Sequence, residues 1–266
     1  MRKTCALLAA LLLVSATFAH DMYLLPARFV IEEGALLSVG LHNGDSFPDS
    51  EVSPVLERVR DMKLLSATGA WNIQNLHLSG KTVQGEIRIP QSGGYVLTAR
   101  TIPHAFQLPA KDFNAYLKEE GLAHVIAWRE QHGETQSAGR ERYAKYAKAL
   151  LTTGGNNEFH TRPTSLAIEI VPEISPYDLK PGANLPIRIL LRGNPASDLQ
   201  VEASWASASA PTKTTIVGRT DQQGRLTVPH LTSGKWRIHT VSMERCKEPA
   251  EADWESSWAS LTFEIP

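Results

Sequence analysis

Hydrophobic and polar positions alternate in several short stretches of the first hundred residues. In the clearest of them Leu37, Val39 and Leu41 alternate with polar or small residues, and Gly-rich turns such as Ser92-Gly93-Gly94 separate similar stretches. Alternation with a period of two is typical of β-strands that bury one face. From Tyr23 to about Thr101 the pattern therefore predicts a β-sandwich.

The pattern changes to a helical period after Pro109. Phe113, Leu117 and Trp128 follow helical spacing and predict a first helix. Tyr143, Tyr146 or Ala147, and Leu150 recur at i, i+3/i+4 and i+7, which predicts a second helix. The basic residues around that helix are interpreted as a solvated face: Arg140, Arg142, Lys145 and Lys148. Gly154-Gly155 ends the pattern and begins a linker.

Short alternating stretches resume at Leu166 and continue to Ile265, with turns such as Lys180-Pro181-Gly182 between them. About seven strands at this spacing predict an immunoglobulin-like or prealbumin-like sandwich. The predicted fold is mainly β, with two β-sandwich domains and a helical insertion between them. The predicted divisions are a leader at 1–19, an N-terminal domain at 20–108, the helical insertion at 109–153, a linker at 154–165 and a C-terminal domain at 166–266.

The N-terminus predicts a secretory signal peptide. Arg2 and Lys3 precede an apolar run too short to span a membrane, and Thr17-Phe18-Ala19 places small residues before a cleavage site. Cleavage after Ala19 leaves His20 as the first residue of a periplasmic protein. A cut after Ala16 satisfies the same small-residue rule and stays open as the alternative.

Composition narrows the classes of partner. Loss of Arg2 and Lys3 with the leader takes the formal charge from −1 to −3, which gives no reason to expect nucleic acid as a partner. No transmembrane segment is expected in the mature chain. Cys5 leaves with the leader, so Cys246 has no intramolecular disulfide partner, and we expect it to lie outside any metal site.

Metal binding is the chemistry that the remaining motifs favour. The chain has nine histidines but no Gly-x-Ser-x-Gly, Walker or His-Glu-x-x-His motif, and no Cys-x-x-Cys pair. Imidazole suits nickel, cobalt, copper and zinc, and an N-terminal histidine adds its α-amine as a second nitrogen donor. The expected cofactor is a divalent transition-metal ion, Ni, Co or Cu.

His20 and His42 are the leading candidate ligands. A hairpin that joins Tyr23–Ile31 to Leu36–Leu41 would bring both histidines to one edge of the sheet, where they are predicted to bind one ion. Asp45 is a candidate oxygen ligand close by. His104 and His239 are further candidates, but a non-ligand position explains His104 more simply than metal binding does, and a packed position explains His239 equally simply.

Three longer motifs remain: Ala19-His20-Asp21-x-Tyr23-Leu24-x-Pro26, Leu108-Pro109-x-x-x-Phe113-Asn114-x-Tyr116-Leu117 and Trp254-Glu255-Ser256-x-Trp258-Ala259-Ser260-Leu261-Thr262-Phe263. In these motifs the chain resembles a bacterial exported family of undefined function, often described as the periplasmic component of cobalt or nickel uptake systems. The resemblance implies a two-sandwich periplasmic protein with an N-terminal histidine and a role in metal handling. One departure is Ser242, where relatives tend to carry a histidine. If that histidine is a ligand in relatives, this protein either lacks the ligand or substitutes another donor such as His239.

Three functions remain open at this point. The first is metal binding that assists uptake or delivery, with a membrane transporter complex as partner. The second is a non-catalytic interaction module of a membrane-associated complex. The third is a copper-dependent oxidative enzyme, which we do not favour because only Tyr23 supplies an aromatic residue near the expected metal.

Overall fold

The computed structural model describes residues 20–208 and 210–266, so the predicted leader lies outside the described residues. The chain is mainly β, as predicted. Its strands are β1 Met22–Pro26, β2 Leu36–Asn43, β3 Val59–Ser66, β4 Gly69–Asn72, β5 Gln74–Ser79, β6 Thr82–Arg88, β7 Gly94–Thr101, β8 His104–Leu108, β9 Gly139–Thr152, β10 Ile168–Pro172, β11 Leu185–Leu191, β12 Asn194–Pro195, β13 Gln200–Ser207, β14 Ala210–Arg219, β15 Arg225–Val228, β16 Gly234–Arg245 and β17 Trp254–Ile265. Its α-helices are α1 Ala110–Glu119 and α2 Ala123–Gln131, and short 3-10 turns cover Leu56–Arg58, Glu158–Thr161 and Pro176–Asp178.

A nine-stranded sheet runs through the whole molecule. Its order is β14-β13-β16-β17-β9-β7-β3-β4, with β8 paired to one end of β9. The pairing of β17 with β9 is parallel and brings Ser260 beside Ala147, whereas the neighbouring pairs are antiparallel. Strands from both predicted β domains therefore belong to one hydrogen-bonded sheet.

Two smaller sheets cover opposite faces of the nine-stranded sheet. The first small sheet has the order β1-β2-β6-β5, and the second consists of β10, β11, β12 and β15. Ala147, Ala149 and Leu151 of β9 pack in the core under the first small sheet, while Leu150 packs in the core under the second. Because side chains alternate along a strand, β9 supplies both cores and must be apolar on both faces.

The two helices lie on the same face of the nine-stranded sheet as the first small sheet. Phe113 and Leu117 of α1 pack with Val241, Met243 and the C-terminal tryptophans in a third core cluster. Pro109 directly precedes α1, where its fixed φ suits the entry into a helix. This arrangement leaves the end of α1 beside the beginning of β1.

The second predicted helix is wrong: residues 139–152 form β9, so the helical insertion at 109–153 is helical only over α1 and α2. The spacing of Tyr143, Tyr146 and Leu150 was misleading because a strand buried on both faces need not alternate. The predicted solvated basic face is also wrong for two residues. Lys145 and Lys148 are buried, and Lys148 pairs with Glu169 at 3.1 Å.

Among the described residues, no helix is long and apolar enough to cross a membrane. The longer of the two α-helices has 10 residues, about half of what a membrane span requires.

Candidate metal centre

Three side chains with metal-binding atoms meet at the beginning of β1. The Nδ1 atom of His20 lies 2.7 Å from Oδ2 of Asp45 and 3.7 Å from Oε2 of Glu51. One donor atom from each residue lies within 4.8 Å of the other two, and no second group of this kind is found in residues 20–208 and 210–266. The exposed fraction of the side chain is 16% for His20 and 60% for Asp45, so the cluster is open to solvent at one side.

The pairing of β1 with β2 brings His20 to Asp45. The antiparallel register places Met22 opposite Asn43, and a hydrogen bond of 2.9 Å from the Gly44 N–H to the Asp21 carbonyl extends the pairing by one step. His20 and Asp45 come next in this register. The predicted antiparallel pairing of β1 with β2 is therefore present. It places Asp45, and not His42, opposite His20.

Glu51 reaches the cluster because the loop after β2 folds back on itself. Its backbone N–H donates to the Asn43 carbonyl at 3.0 Å, and its carboxylate accepts from the Asp45 N–H at 2.7 Å and from the Ser46 hydroxyl at 2.8 Å. Gly44 permits this fold, because a Cβ there would lie 2.9 Å from the Asp49 carbonyl oxygen and from the Glu51 nitrogen. The backbone hydrogen bond to Asp45 and the hydroxyl of Ser46 lower the pKa of Glu51, so it is ionised at neutral pH.

Two buried cations hold the backbone that carries these ligands. Arg237 of β16 donates to the carbonyls of Gly44 at 2.9 Å and Asp45 at 3.4 Å. Lys145 of β9 donates to the His20 carbonyl and, at 3.2 Å, to Oδ1 of Asn43. Hydrogen bonds from two side chains of the nine-stranded sheet therefore hold the backbone that carries the candidate ligands.

A buried ionic network lies directly behind the cluster. Asp21 accepts from Arg237 at 3.1 Å and from Nδ1 of His239 at 2.8 Å, and Nε2 of His239 lies 3.1 Å from Glu120. Burial by itself would lower the pKa of His239, but the carboxylates of Asp21 and Glu120 raise it to about 10. Burial likewise raises the pKa of Asp21, and His239 and Arg237 bring it below its usual value.

His239 is thus a protonated bridge between two carboxylates. Both ring nitrogens of His239 contact carboxylates, so neither is free to bind a metal ion, and the residue does not belong to the three-residue cluster. It does not replace the family histidine at position 242 either, because alternation along β16 puts Ser242 on the opposite face.

His42 lies outside the cluster as well. The register pairs it with Tyr23, and the two rings stack with their centroids 5.3 Å apart. Burial lowers the pKa of His42 to about 4, and its Nδ1 has no hydrogen-bond partner among the described residues. His20 lies three register positions further along and faces Asp45 instead.

His104 is the remaining candidate, and it pairs with a cation. Its Nε2 lies 3.0 Å from Nη2 of Arg58, and burial followed by the charge of Arg58 lowers its pKa. Cys246 is buried just after β16, and its Sγ lies 3.6 Å from the Glu248 carbonyl. Neither belongs to the three-residue cluster.

Glu51, Arg237 and Lys145 were not found by sequence reasoning. Glu51 stands six residues after Asp45 in a polar loop, and only the turn at Gly44 brings the two together. Lys145 was assigned to a helix surface. Arg237 alternates with Trp236 and Ile238, which is also the pattern of a solvated strand face, so the sequence contains no signal that its charge is buried.

The comparisons place the chain in a family. Residues 17–244 match the model of the family described as "Domain of unknown function (DUF4198)", and the chain belongs to that family. A search of curated proteins finds no match.

Solved structures give only distant similarity. A trypsin-activated alpha-2-macroglobulin from Escherichia coli is 8% identical with a TM-score of 0.24, over 94% of this chain and 16% of that one. The Yersinia pseudotuberculosis adhesin InvE is 12% identical with a TM-score of 0.24, over 92% of this chain and 59% of that one. The chain thus spans less than two thirds of either protein.

Proposed function

We propose that this protein is exported to the periplasm, begins at His20 after removal of its leader, and binds one divalent transition-metal ion for uptake or delivery. The observation that carries the proposal is the convergence of His20, Asp45 and Glu51, with one donor atom of each within 4.8 Å of the others. The metal is cargo in this proposal, and no catalytic role is assigned.

The donor set suits nickel, cobalt, copper or zinc better than calcium or magnesium. An imidazole nitrogen is a borderline ligand that these transition metals favour, and the two carboxylates neutralise the charge of a divalent ion. A free α-amine on His20, with an ordinary pKa of about 7.7–8.0, adds a second nitrogen at little cost near neutral pH.

The position of the cluster supports delivery rather than permanent storage. Asp45 is exposed and Glu51 is partly exposed, so an ion can enter and leave without opening the core. Arg237 and Lys145 meanwhile hold the ligand backbone in place, which reduces the ordering that binding requires. A membrane transporter complex is the partner that this arrangement fits.

The test is metal titration of protein produced with His20 as its first residue. Calorimetry with Ni(II), Co(II) and Cu(II) is expected to give one ion per chain, and Asp45→Asn and Glu51→Gln should each weaken binding about tenfold, since each loses a charged ligand. Glu32→Gln, a carboxylate outside the cluster, serves as the matched control. Unchanged affinity in both cluster variants would refute the proposal and leave the interaction-module alternative.

A further inference from the structure

A cavity of about 210 Å³ opens next to the candidate metal centre but is lined by different side chains. It lies among the end of β2, the segment that leads into β3, and the beginnings of β8 and β9. Met22 and Asn43 form part of its wall, whereas His20, Asp45 and Glu51 do not line it. Lys145 connects the two places, because it lines the cavity and donates to the His20 carbonyl, but none of the three candidate metal ligands lines the cavity.

The charged side chains that line this cavity are all basic. Arg58 and Lys145 are the two fixed cations, His104 is the third basic residue, and no aspartate or glutamate lines the cavity. Burial and the neighbouring guanidinium lower the pKa of His104, so it accepts the hydrogen bond from Arg58 as a neutral ring. The cavity carries two positive charges at neutral pH.

Neither cation has a carboxylate partner. Among the described residues no aspartate or glutamate oxygen lies within 4 Å of Arg58 or Lys145, although twelve arginines, lysines and histidines elsewhere form such pairs. Lys145 is almost fully buried, and its two acceptors are the neutral oxygens of His20 and Asn43. An ammonium has three donors, so one N–H of Lys145 has no acceptor in the described part of the chain. The carboxylates of Asp21, Asp45, Glu120 and Glu141 act on Lys145 only from beyond 4 Å, and burial outweighs them, which lowers its pKa to about 8. Lys145 therefore remains mostly protonated at neutral pH, and its free N–H can donate to an anion.

Most of the remaining wall is apolar, apart from Asn43, Ser53 and Thr101. Val59 is buried at its base, while Val55 and Ile102 are two of the few large apolar side chains left exposed. Tyr143 contacts both Lys145 and His104: the Lys145 ammonium lies 5.5 Å from its ring centroid, and its ring is nearly perpendicular to that of His104, with the centroids 6.0 Å apart. An inorganic anion would leave this apolar surface unused.

We propose that this cavity binds a small organic carboxylate, with its carboxylate group between Arg58 and Lys145 and its short hydrocarbon body against Val55, Val59 and Ile102. The guanidinium fork matches the two oxygens of a carboxylate, and the ammonium supplies a third charged donor. The volume is below the range of about 300–1,000 Å³ that holds drug-sized ligands, so the ligand has only a few carbon atoms.

The experiment uses the chain that begins at His20, treated with EDTA so that the proposed metal is absent. Saturation-transfer NMR measures the binding of pentanoate and of its neutral analogue pentanamide directly. The binding of inorganic phosphate, the anion without a hydrocarbon body, is measured by its competition with pentanoate. We expect pentanoate to bind, and both pentanamide and phosphate to bind about tenfold more weakly.

Two variants test the assignment to this cavity. Arg58→Gln removes one cation and should weaken pentanoate binding about tenfold, whereas Arg60→Gln, an exposed arginine two residues away outside the cavity, should leave it unchanged. Ile102→Asp places a negative charge at the exposed rim and should abolish binding even if Arg58→Gln does not fold. Equal binding of pentanoate and pentanamide, tighter binding of phosphate, no binding at tens of millimolar, or full binding by folded Ile102→Asp would each overturn the proposal. None of these results depends on whether His20, Asp45 and Glu51 bind metal.

Discussion

His20 and Asp45 face each other across the open end of the β1–β2 pair, with 2.7 Å between Nδ1 and Oδ2. The same carboxylate accepts the backbone N–H of Asp21 at 3.2 Å through its other oxygen. Asp45 therefore holds the chain at the very position where a processed N-terminus would lie. The candidate metal centre therefore depends mainly on the register of β1 with β2, because that register brings His20 to Asp45.

The register leads to opposite expectations for two variants. Asp45→Asn should weaken metal binding about tenfold, because it removes a charged ligand while keeping an acceptor for the Asp21 N–H. His42→Ala should leave the metal affinity unchanged and cost about 0.5–1.5 kcal/mol of stability, because it loses only the stacking on Tyr23.

Calorimetry and denaturant unfolding of the same samples separate these effects. Cys246→Ser is the control for a buried change remote from the cluster, and its metal affinity should equal that of the wild type. Strong loss of affinity in His42→Ala would instead support joint binding by His20 and His42, against the register seen here.

The bridge formed by His239 predicts a specific pH dependence of stability. The pKa of this residue is raised from an ordinary value near 6.5 to about 10, so its contribution is complete below pH 6.5 and is lost as the pH rises through about 10. At pH 6, His239→Gln should destabilise the protein by about 3 kcal/mol, because it leaves Glu120 buried without its cation.

Thermal unfolding of the wild type and His239→Gln from pH 6 to pH 10 measures this dependence. The difference in Tm between them should shrink steadily over that range. His77→Gln, at an exposed strand position, provides the comparison and should show a small difference at every pH. A difference for His239→Gln that does not change with pH would mean that the residue is neutral in the fold.

The buried pair of Lys148 and Glu169 predicts a second large effect on stability. Both side chains are 1% exposed, and Glu169 also accepts from the backbone of Thr164 and Ser165. Lys148→Met should cost about 3–5 kcal/mol, because the carboxylate stays buried without its counter-ion. Adding Glu169→Gln should recover part of this loss, since the amide oxygen still accepts hydrogen bonds and carries no charge.

Urea unfolding provides the measurement, and an exposed pair provides the control. Arg192 and Glu244 lie 2.9 Å apart with nearly half of each side chain exposed, so Arg192→Met should cost less than about 1 kcal/mol. If Lys148→Met is no more costly than Arg192→Met, the pair does not stabilise the fold as its burial implies.

The sequence was a good guide wherever a strand buries one face. Alternation in β2 correctly indicated which side chains enter the core, and Leu37, Val39 and Leu41 are all buried there. It misled at β9, because this strand packs against a core on each face and therefore does not alternate. Its buried lysines are held by residues distant in the chain: Lys148 pairs with Glu169, and Lys145 donates to the His20 carbonyl. No local pattern distinguishes such a lysine from one on a helix surface.

The candidate metal centre was predictable in part for the same reason. His20 and Asp45 were both nominated, and the antiparallel pairing that joins them follows from two alternating stretches. The sequence does not determine the exact register of this pairing, and a shift of a few residues decides whether His42 or Asp45 faces His20. The register also depends on tertiary contacts, such as the hydrogen bond from Arg237 to the Gly44 carbonyl. Glu51 depends on a loop conformation that the sequence pattern does not specify.

The role of the α-amine of His20 leads to the last prediction. If the leader is removed after Ala19, the first residue offers its amine and its ring to one ion, and the Lys145 hydrogen bond to the His20 carbonyl holds that residue in place. A protein with one glycine added before His20 keeps the imidazole, Asp45 and Glu51 but moves the amine away. Its affinity for Ni(II) or Cu(II) should fall about tenfold or more, because a nitrogen donor and a chelate ring are lost.

The affinity of the unextended protein should also fall more steeply as the pH drops below about 8, since its amine must lose a proton to bind. Equal affinities and equal pH profiles for the two proteins would show that the amine is not a ligand, and a mature protein found by mass spectrometry to begin at Thr17 would remove it from the site altogether.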